Sequence, residues 1–335
     1  MSKISFLVTY YNQAQYISQS LESILAIDFP DDCLYEILVG DDGSNDGTQA
    51  AVQKYVEKYP GKIKLFEMPR EQNVKYNSIL RASANRLNLL SNAAGDYYCI
   101  LDGDDWYCDK TFISDAIEVM EKNRKISVCA FNFQYAEPNG IKINECLLKR
   151  GLLSAKTYLK SIYLPAGSAV LRNVFDKKKI EFMRKTGYFD DQNITIANLN
   201  CGEMYFIPKV IYSYRQTGES VWTGISEYER NVINALDYDV NLRYAPKYSK
   251  EIKQRHFGAL EYVWQNRNNF YSDLGNDKAD KYLSMAKSLE NSMFADIINF
   301  DTFDVSAQKS IENFFKPRLS ARIKRGIKRI LHVDK

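Results

Sequence analysis

Asp102, Asp104 and Asp105 lie within four residues of one another in the stretch AGDYYCILDGDDWYCD (94–109). Like charges crowded at the end of an apolar run repel each other, and two settings relieve that repulsion. A solvated loop does so with water. A cation site does so with a hard divalent ion, for which carboxylate oxygens are natural ligands. Two further groups of polar residues end apolar runs in the same way: Thr9, Tyr11 and Asn12 after ISFLV, and Asp41 and Asp42 after YEILVG. Asp190 and Asp191, in TGYFDDQNITIANL (186–199), precede a helix-like pattern, where an acid readily serves as N-cap.

The elements that must position these groups are legible in the first half of the chain. ISFLVTYY (4–11) is nearly continuous in apolar residues, the pattern of a central parallel strand. Ile17, Leu21, Ile24 and Leu25 then recur at helical spacing. YEILVGDD (35–42), KIKLFEMP (62–69) and YYCIL (97–101) predict a second, third and fourth strand. Helices are predicted over 48–59 and 74–92, the first capped by Ser44 or Asp46 in the turn GSNDG. KISVCAFNFQYAE (125–137) continues the sheet. Such alternation predicts an α/β fold, a parallel sheet with helices on both faces. Ligands bind outside the carboxyl ends of such strands, so the three polar strand ends would converge on one rim. Past about residue 220 the pattern turns helical, over 228–315, and is rich in Tyr, Asn and Lys.

Composition narrows the chemistry. With two histidines, His256 and His332, and no C-x-x-C among six cysteines, a Cys/His zinc site is disfavoured. An oxygen-held ion, Mg²⁺ or Mn²⁺, is the natural candidate. The first residues lack a signal-peptide pattern and no run of about 18 apolar residues occurs, so a cytoplasmic chain with reduced thiols is expected. The net charge of +3 is concentrated: residues 316–335 hold eight Lys/Arg and one Asp, leaving 37 basic and 41 acidic groups elsewhere. A mildly acidic body argues against nucleic acid as a partner. In the tail, Leu319, Ile323, Ile327, Ile330 and Leu331 form a stripe among basic residues. That stripe suits an anionic membrane surface, a solvated tail or a helix packed on the body.

Several nucleotide motifs are absent. TYYNQAQY has no glycine and so is no dinucleotide fingerprint, no G-x-x-x-x-G-K-[ST] occurs, and Tyr107 occupies the glycine position of an EF-hand reading. An acidic rim holds a diphosphate only through a divalent ion, with carboxylates on one side and phosphates on the other.

SFLVTYYNQAQYISQSLESIL, EILVGDDGSNDGT and AAGDYYCILDGDDW together resemble the family 2 glycosyltransferases of the GT-A fold, over roughly residues 3–110. The resemblance implies a GT-A-like, Rossmann-type, mostly parallel sheet with flanking helices. With the turn to a helical pattern near 220 and the basic tail, the chain divides into a catalytic domain over 1–220 (nucleotide-sugar half 1–110, acceptor half 111–220), a helical region over 221–315 and the tail over 316–335. The resemblance also implies that Thr9 and Tyr11 line the nucleoside pocket, Tyr11 on the base, that Asp42 bonds the base and that Asp41 supports the loop. Arg86, nine residues before Gly95, matches a nucleotide-contacting arginine, although Leu87 and Leu89 stand where the family has Asn and Gly; a surface arginine is the other reading. Asp102, Asp104 and Asp105 would share the ribose contact and the metal, Mn²⁺ or Mg²⁺.

Sugar transfer to an alcohol needs a carboxylate to take the acceptor proton. Asp190 and Asp191 resemble the family's acid pair, which makes Asp191 the base and Asp190 its positioning neighbour; helix capping is compatible with both. In YSYRQTGESVW (212–222), Arg215 could contact the diphosphate and Trp222 a sugar face, or both could be ordinary structural residues. The segment lacks the Q-x-x-R-W of processive synthases. The implied activity is inverting transfer of one sugar from a UDP-sugar to a glycan or lipid-linked glycan, on the inner face of the membrane if the tail docks there. The rivals are a sugar-phosphate nucleotidyltransferase, whose glycine-rich loop is missing, and an inactive glycan-binding homologue.

Overall fold

A computed structural model describes residues 1–71, 73–216, 224–290 and 292–298. Trp222 and the basic tail lie outside them. The sheet half runs β1 (Ser2–Tyr10), α1 (Ile17–Leu25), β2 (Cys33–Asp41), α2 (Thr48–Lys58), β3 (Ile63–Glu67), α3 (Ser78–Asn92), β4 (Tyr97–Asp102), β5 (Trp106–Tyr107), α4 (Phe112–Lys122) and β6 (Ile126–Glu137). It continues with β7 (Gly140–Ile143), β8 (Gly151–Leu153), α5 (Ala155–Ser161), β9 (Ala169–Arg172), α6 (Lys177–Thr186), α7 (Asp191–Leu199) and β10 (Glu203–Arg215). Five helices follow: α8 (Glu227–Tyr244), α9 (Ser249–Gln265), α10 (Phe270–Leu274), α11 (Asn276–Ser288) and α12 (Met293–Ile298).

Among the described residues the strands form one sheet in the order β3-β2-β1-β4-β9-β6-β10-β5, with β7 on β6 and β8 on β10. The first four strands are parallel, as their apolar runs predict. From β9 onward the sheet is mixed: β9 is antiparallel to both β4 and β6, while β10 runs parallel to β6. The order reverses at β1, which has β2 on one side and β4 on the other. A crevice opens at such a reversal.

Local chemistry explains the helix limits. Ile17, Leu21 and Ile24 of α1 are buried at helical spacing. Gly47 is the N-cap of α2, but Asp46 Oδ1 takes the Thr48 N–H at 3.0 Å, so the acid satisfies the helix start from one residue further back. Helix α3 begins at Ser78, four residues later than periodicity predicts, because the Asn77 side chain accepts the N–H groups of Ile79 and Leu80. Asp190 caps α7 in a reciprocal box with Asn193.

The C-terminal helices share the buried core with the sheet half. Asn193 Nδ2 of α7 donates to Asn241 Oδ1 of α8 at 2.8 Å, and the Tyr244 hydroxyl reaches the Tyr188 carbonyl. His256 of α9 ties to α8 through Asn241 Nδ2 at 3.1 Å and the Asn234 carbonyl at 2.9 Å. All six cysteines are unpaired.

Candidate active site

Register delivers the rim. In the parallel pairing Thr9 stands beside Gly40 and Asp102, and Tyr10 beside Asp41. The three polar strand ends therefore meet at the crevice between β1, β2 and β4. Thr9 Oγ1 donates to Asp102 Oδ1 at 3.3 Å. Asn12, in a left-handed conformation at φ 51°, knits the first strand end to the second loop. Its N–H donates to Ser44 Oγ at 2.8 Å and its Oδ1 accepts the Asn45 N–H at 2.9 Å. Asp41 is buried and its Oδ2 accepts from the Ser44 N–H at 3.0 Å and Gln49 Nε2 at 2.6 Å, holding the loop from inside.

Asp42 is neutralised by two arginines that sequence reading did not single out. Arg70 and Arg81 both pair with its carboxylate, and Arg70 Nε also donates to its carbonyl at 2.8 Å. The Arg70 guanidinium lies 3.7 Å from the centre of the Tyr11 ring, which is otherwise 45% exposed. Tyr11 is thus a solvent-facing platform rather than a core aromatic. No spacing rule in the sequence ties residues 70 and 81 to residue 42; only folding does.

The D-G-D-D turn divides its acids. Gly103 is required there, since a Cβ would come within 2.1 Å of the Tyr10 ring. Asp102 and Asp104 remain partly accessible. Burial, and then the Asp102 charge, push the Asp104 carboxyl up to about 6. Asp105 departs from the expected acidic trio: it is buried, and its carboxylate accepts from the Tyr212 hydroxyl and, at 2.7 Å, from the Arg215 N–H. Its oxygens are spent on fastening β10 to the turn. Arg215 is likewise committed, donating from Nε to the Asp104 carbonyl at 2.7 Å and lying over the Tyr16 and Trp106 rings at 4.5 and 4.6 Å. It braces the turn from behind.

Arg86 links this turn to the acids of α7. Its side chain is 8% exposed, with Nη2 at 2.7 Å from Asp102 Oδ1 and Nη1 at 2.6 Å from Asp190 Oδ1. The surface-arginine reading is thereby excluded. Leu87 and Leu89 beside it are buried in the core. Asp191 sits one residue inside α7, where its Oδ1 accepts the Ala166 N–H at 2.7 Å. Burial chiefly, with the Asp190 charge added and the Ala166 N–H opposing, brings the Asp191 carboxyl up to about 6. Arg86, Asp102, Asp190 and Asp191 all line one cavity of about 630 Å³.

Among the described residues no cluster of three or more metal-ligating side chains occurs. Asp102 and Asp104 are the oxygen donors at the rim, and a divalent ion that takes six oxygens would complete its shell with phosphate and water. Carboxylate oxygens are the donor type that Mn²⁺ and Mg²⁺ take, so the two side chains fit such an ion by chemistry.

Fold and site together define an α/β protein with an acidic crevice at its strand-order reversal. Residues 5–178 match the family described as Glycosyl transferase family 2, and the chain belongs to that family. It is similar to a GalNAc(5)-diNAcBac-PP-undecaprenol beta-1,3-glucosyltransferase of Campylobacter jejuni, 28% identical over 218 residues, 64% of this chain and 65% of that protein. An uncharacterized protein of Mycobacterium tuberculosis is 23% identical over 223 residues, 63% of this chain and 58% of its own length. The chain thus matches less than two thirds of either relative. Among solved structures, Staphylococcus aureus TarS 1-349 in complex with UDP-GlcNAc superposes with a TM-score of 0.56 at 18% identity, covering 89% of this chain and 84% of that one. At that identity the likeness establishes the shared GT-A-like fold. No helix among the described residues is long and apolar enough to cross a membrane.

Proposed function

We propose that this protein transfers a single sugar from a UDP-sugar to a hydroxyl of a glycan acceptor, with inversion, in surface polysaccharide or glycoconjugate synthesis. The observation that carries this reading is the Arg86 bridge, which joins the rim acid Asp102 to Asp190, the N-cap of the helix that presents Asp191. Arg86 and Asp102 therefore line one cavity with Asp190 and Asp191. The UDP-GlcNAc complex of the TarS fold and the undecaprenol-linked substrate in the name of the Campylobacter relative support a UDP-sugar donor and a glycan acceptor on a lipid.

In this reading the uracil stacks on Tyr11 after Arg70 moves aside, with Asp42 on the base edge and Asp102 near the ribose. Asp102 and Asp104 would hold Mn²⁺ or Mg²⁺, which when bound supplies positive charge against the diphosphate. Asp191 takes the proton of the acceptor hydroxyl as that oxygen bonds to the anomeric carbon from the face opposite the departing diphosphate. Asp190, held by Arg86, positions the helix start that carries the base. The division at residue 220, with the later helices as cover and the basic tail at an anionic membrane, completes the proposal. Trp222 is retained as a sugar-stacking candidate.

Calorimetry with UDP, GDP and dTDP in the presence and absence of manganese tests it. Manganese-dependent uptake of UDP and slow hydrolysis of at least one UDP-sugar are expected. No uptake of any nucleotide would remove the proposal.

A further inference from the structure

We propose that Asp237 of α8 is a specificity-determining residue of this cleft, placed to hydrogen-bond a hydroxyl of the transferred sugar. The inference rests on the transferase reading above and concerns a part of the chain outside the 5–178 family match.

Three observations converge. First, Ile233, Asn234 and Asp237 line the same cavity as Arg86, Asp190 and Asp191, at the i, i+1 and i+4 positions of one face of α8. The C-terminal helices therefore form one of its walls. Secondly, Asp237 Oδ1 is buried without a hydrogen-bond partner, while the carboxyl is otherwise engaged by the Tyr188 hydroxyl and the Asn193 side chain. An unmet buried acceptor costs free energy, and a polar ligand in the cavity would recover it. Thirdly, the cavity is suited to a neutral polyol. Among its described lining residues Arg86 is the one cation, and it is occupied by Asp102 and Asp190. Anionic groups find no free positive partner there.

The position of Asp237 selects the transferred sugar over the acceptor. Asp237 shares the cavity with Arg86 and Asp190, and its carboxyl meets Asn193, the partner of Asp190 in the capping box of α7. Asp190 is the acid joined through Arg86 to the rim where the nucleotide end of the donor would lie. Asp191 is instead bonded to the Ala166 N–H and to Tyr163. Burial above all, with the Asp190 charge, carries the Asp237 carboxyl up to about 8. Near neutrality it keeps its proton, so one oxygen donates and the other accepts, the pair of functions that a ring hydroxyl complements.

Competition binding with manganese present tests the inference, using UDP and the epimeric pairs UDP-glucose/UDP-galactose and UDP-GlcNAc/UDP-GalNAc as probes. Asp237→Ala should leave UDP affinity within twofold of wild type, weaken the preferred UDP-sugar about tenfold and flatten the preference between epimers. Asp237→Asn, which keeps a donor and an acceptor, should restore most of both. Unchanged sugar affinity and epimer preference in Asp237→Ala would overturn the inference. So would parallel loss of UDP and UDP-sugar binding, which marks a structural role. Should the alanine variant not fold, Asp237→Ser replaces it under the same criteria. Wild-type protein that binds no UDP would instead defeat the transferase reading itself.

Discussion

Arg86 Nη1 lies 2.6 Å from Asp190 Oδ1, a contact between helix α3 and the cap of α7, 104 residues further on. The same guanidinium holds Asp102 through its other arm. Arg86→Lys keeps the charge but loses the fork that serves two carboxylates at once. Transfer should fall about a hundredfold, a typical effect of disturbing one preorganised polar contact. Stability should fall by roughly 1–3 kcal/mol, less than for a fully buried pair, because the two carboxylates are 39% and 36% exposed. Steady-state kinetics and chemical denaturation of the variant check both; wild-type turnover would show that the bridge does not serve the reaction.

Gly103 is fixed by the Tyr10 ring, which a Cβ would approach to 2.1 Å. Gly103→Ala should cost roughly 1–3 kcal/mol as the turn shifts to relieve the clash. Displacing the turn also moves Asp102 and Asp104 on either side of it, so manganese-dependent UDP affinity should weaken alongside the melting temperature. Unaltered values of both would mean that the turn has room to spare.

In the proposed reaction, the base Asp191 is expected to set the pH dependence of transfer. Its carboxyl is held up to about 6, above the ordinary aspartate value of 3.8. Between those values the folded protein keeps a proton that the unfolded chain releases, so this group favours folding as pH falls while the base is lost. Activity should therefore rise through about pH 6 to a plateau. Asp191→Asn should lower transfer by about 10²–10⁴-fold and remove that inflection, with UDP binding intact. A pH–rate profile of the wild type and UDP titration of the variant check this, and an inflection persisting in residual activity would assign it to another group.

His256 works in the opposite sense. Burial above all, with Arg255 nearby, lowers its pKa from 6.5 to about 3, and it stays neutral between Asn234 and Asn241. Its contribution is complete above pH 6.5 and declines as pH falls towards 3, because the unfolded chain takes up the proton first. The slope is about 1.4 kcal/mol per pH unit, hence roughly 2 kcal/mol lost by pH 5. Denaturation at pH 7.5 and 5.0 should show His256→Gln to be less acid-sensitive than wild type; equal sensitivity would exonerate the histidine.

The sequence by itself determined the parallel half of the sheet and the acids at its strand ends. Apolar runs buried on both faces have one reading as central strands, and polar residues closing them fall at the carboxyl edge. It also singled out Arg86 and the Asp190–Asp191 pair by their place among the motifs, and the fold brings all three to one cavity. It fixed neither the mixed half beyond β4 nor the start of α3, where one asparagine side chain outweighed periodicity. Only the tertiary structure separated the three acids of the D-G-D-D turn, turning Asp105 inward to Tyr212 and Arg215 while leaving Asp102 and Asp104 partly exposed. Only it brought Arg70 and Arg81 to Asp42, and Asp237 to the cavity from a helix with no motif. The physical reason is common to these cases. Local spacing records which face of a strand or helix a residue occupies, whereas ion pairs and cavity walls join residues whose only relation is that packing makes them neighbours.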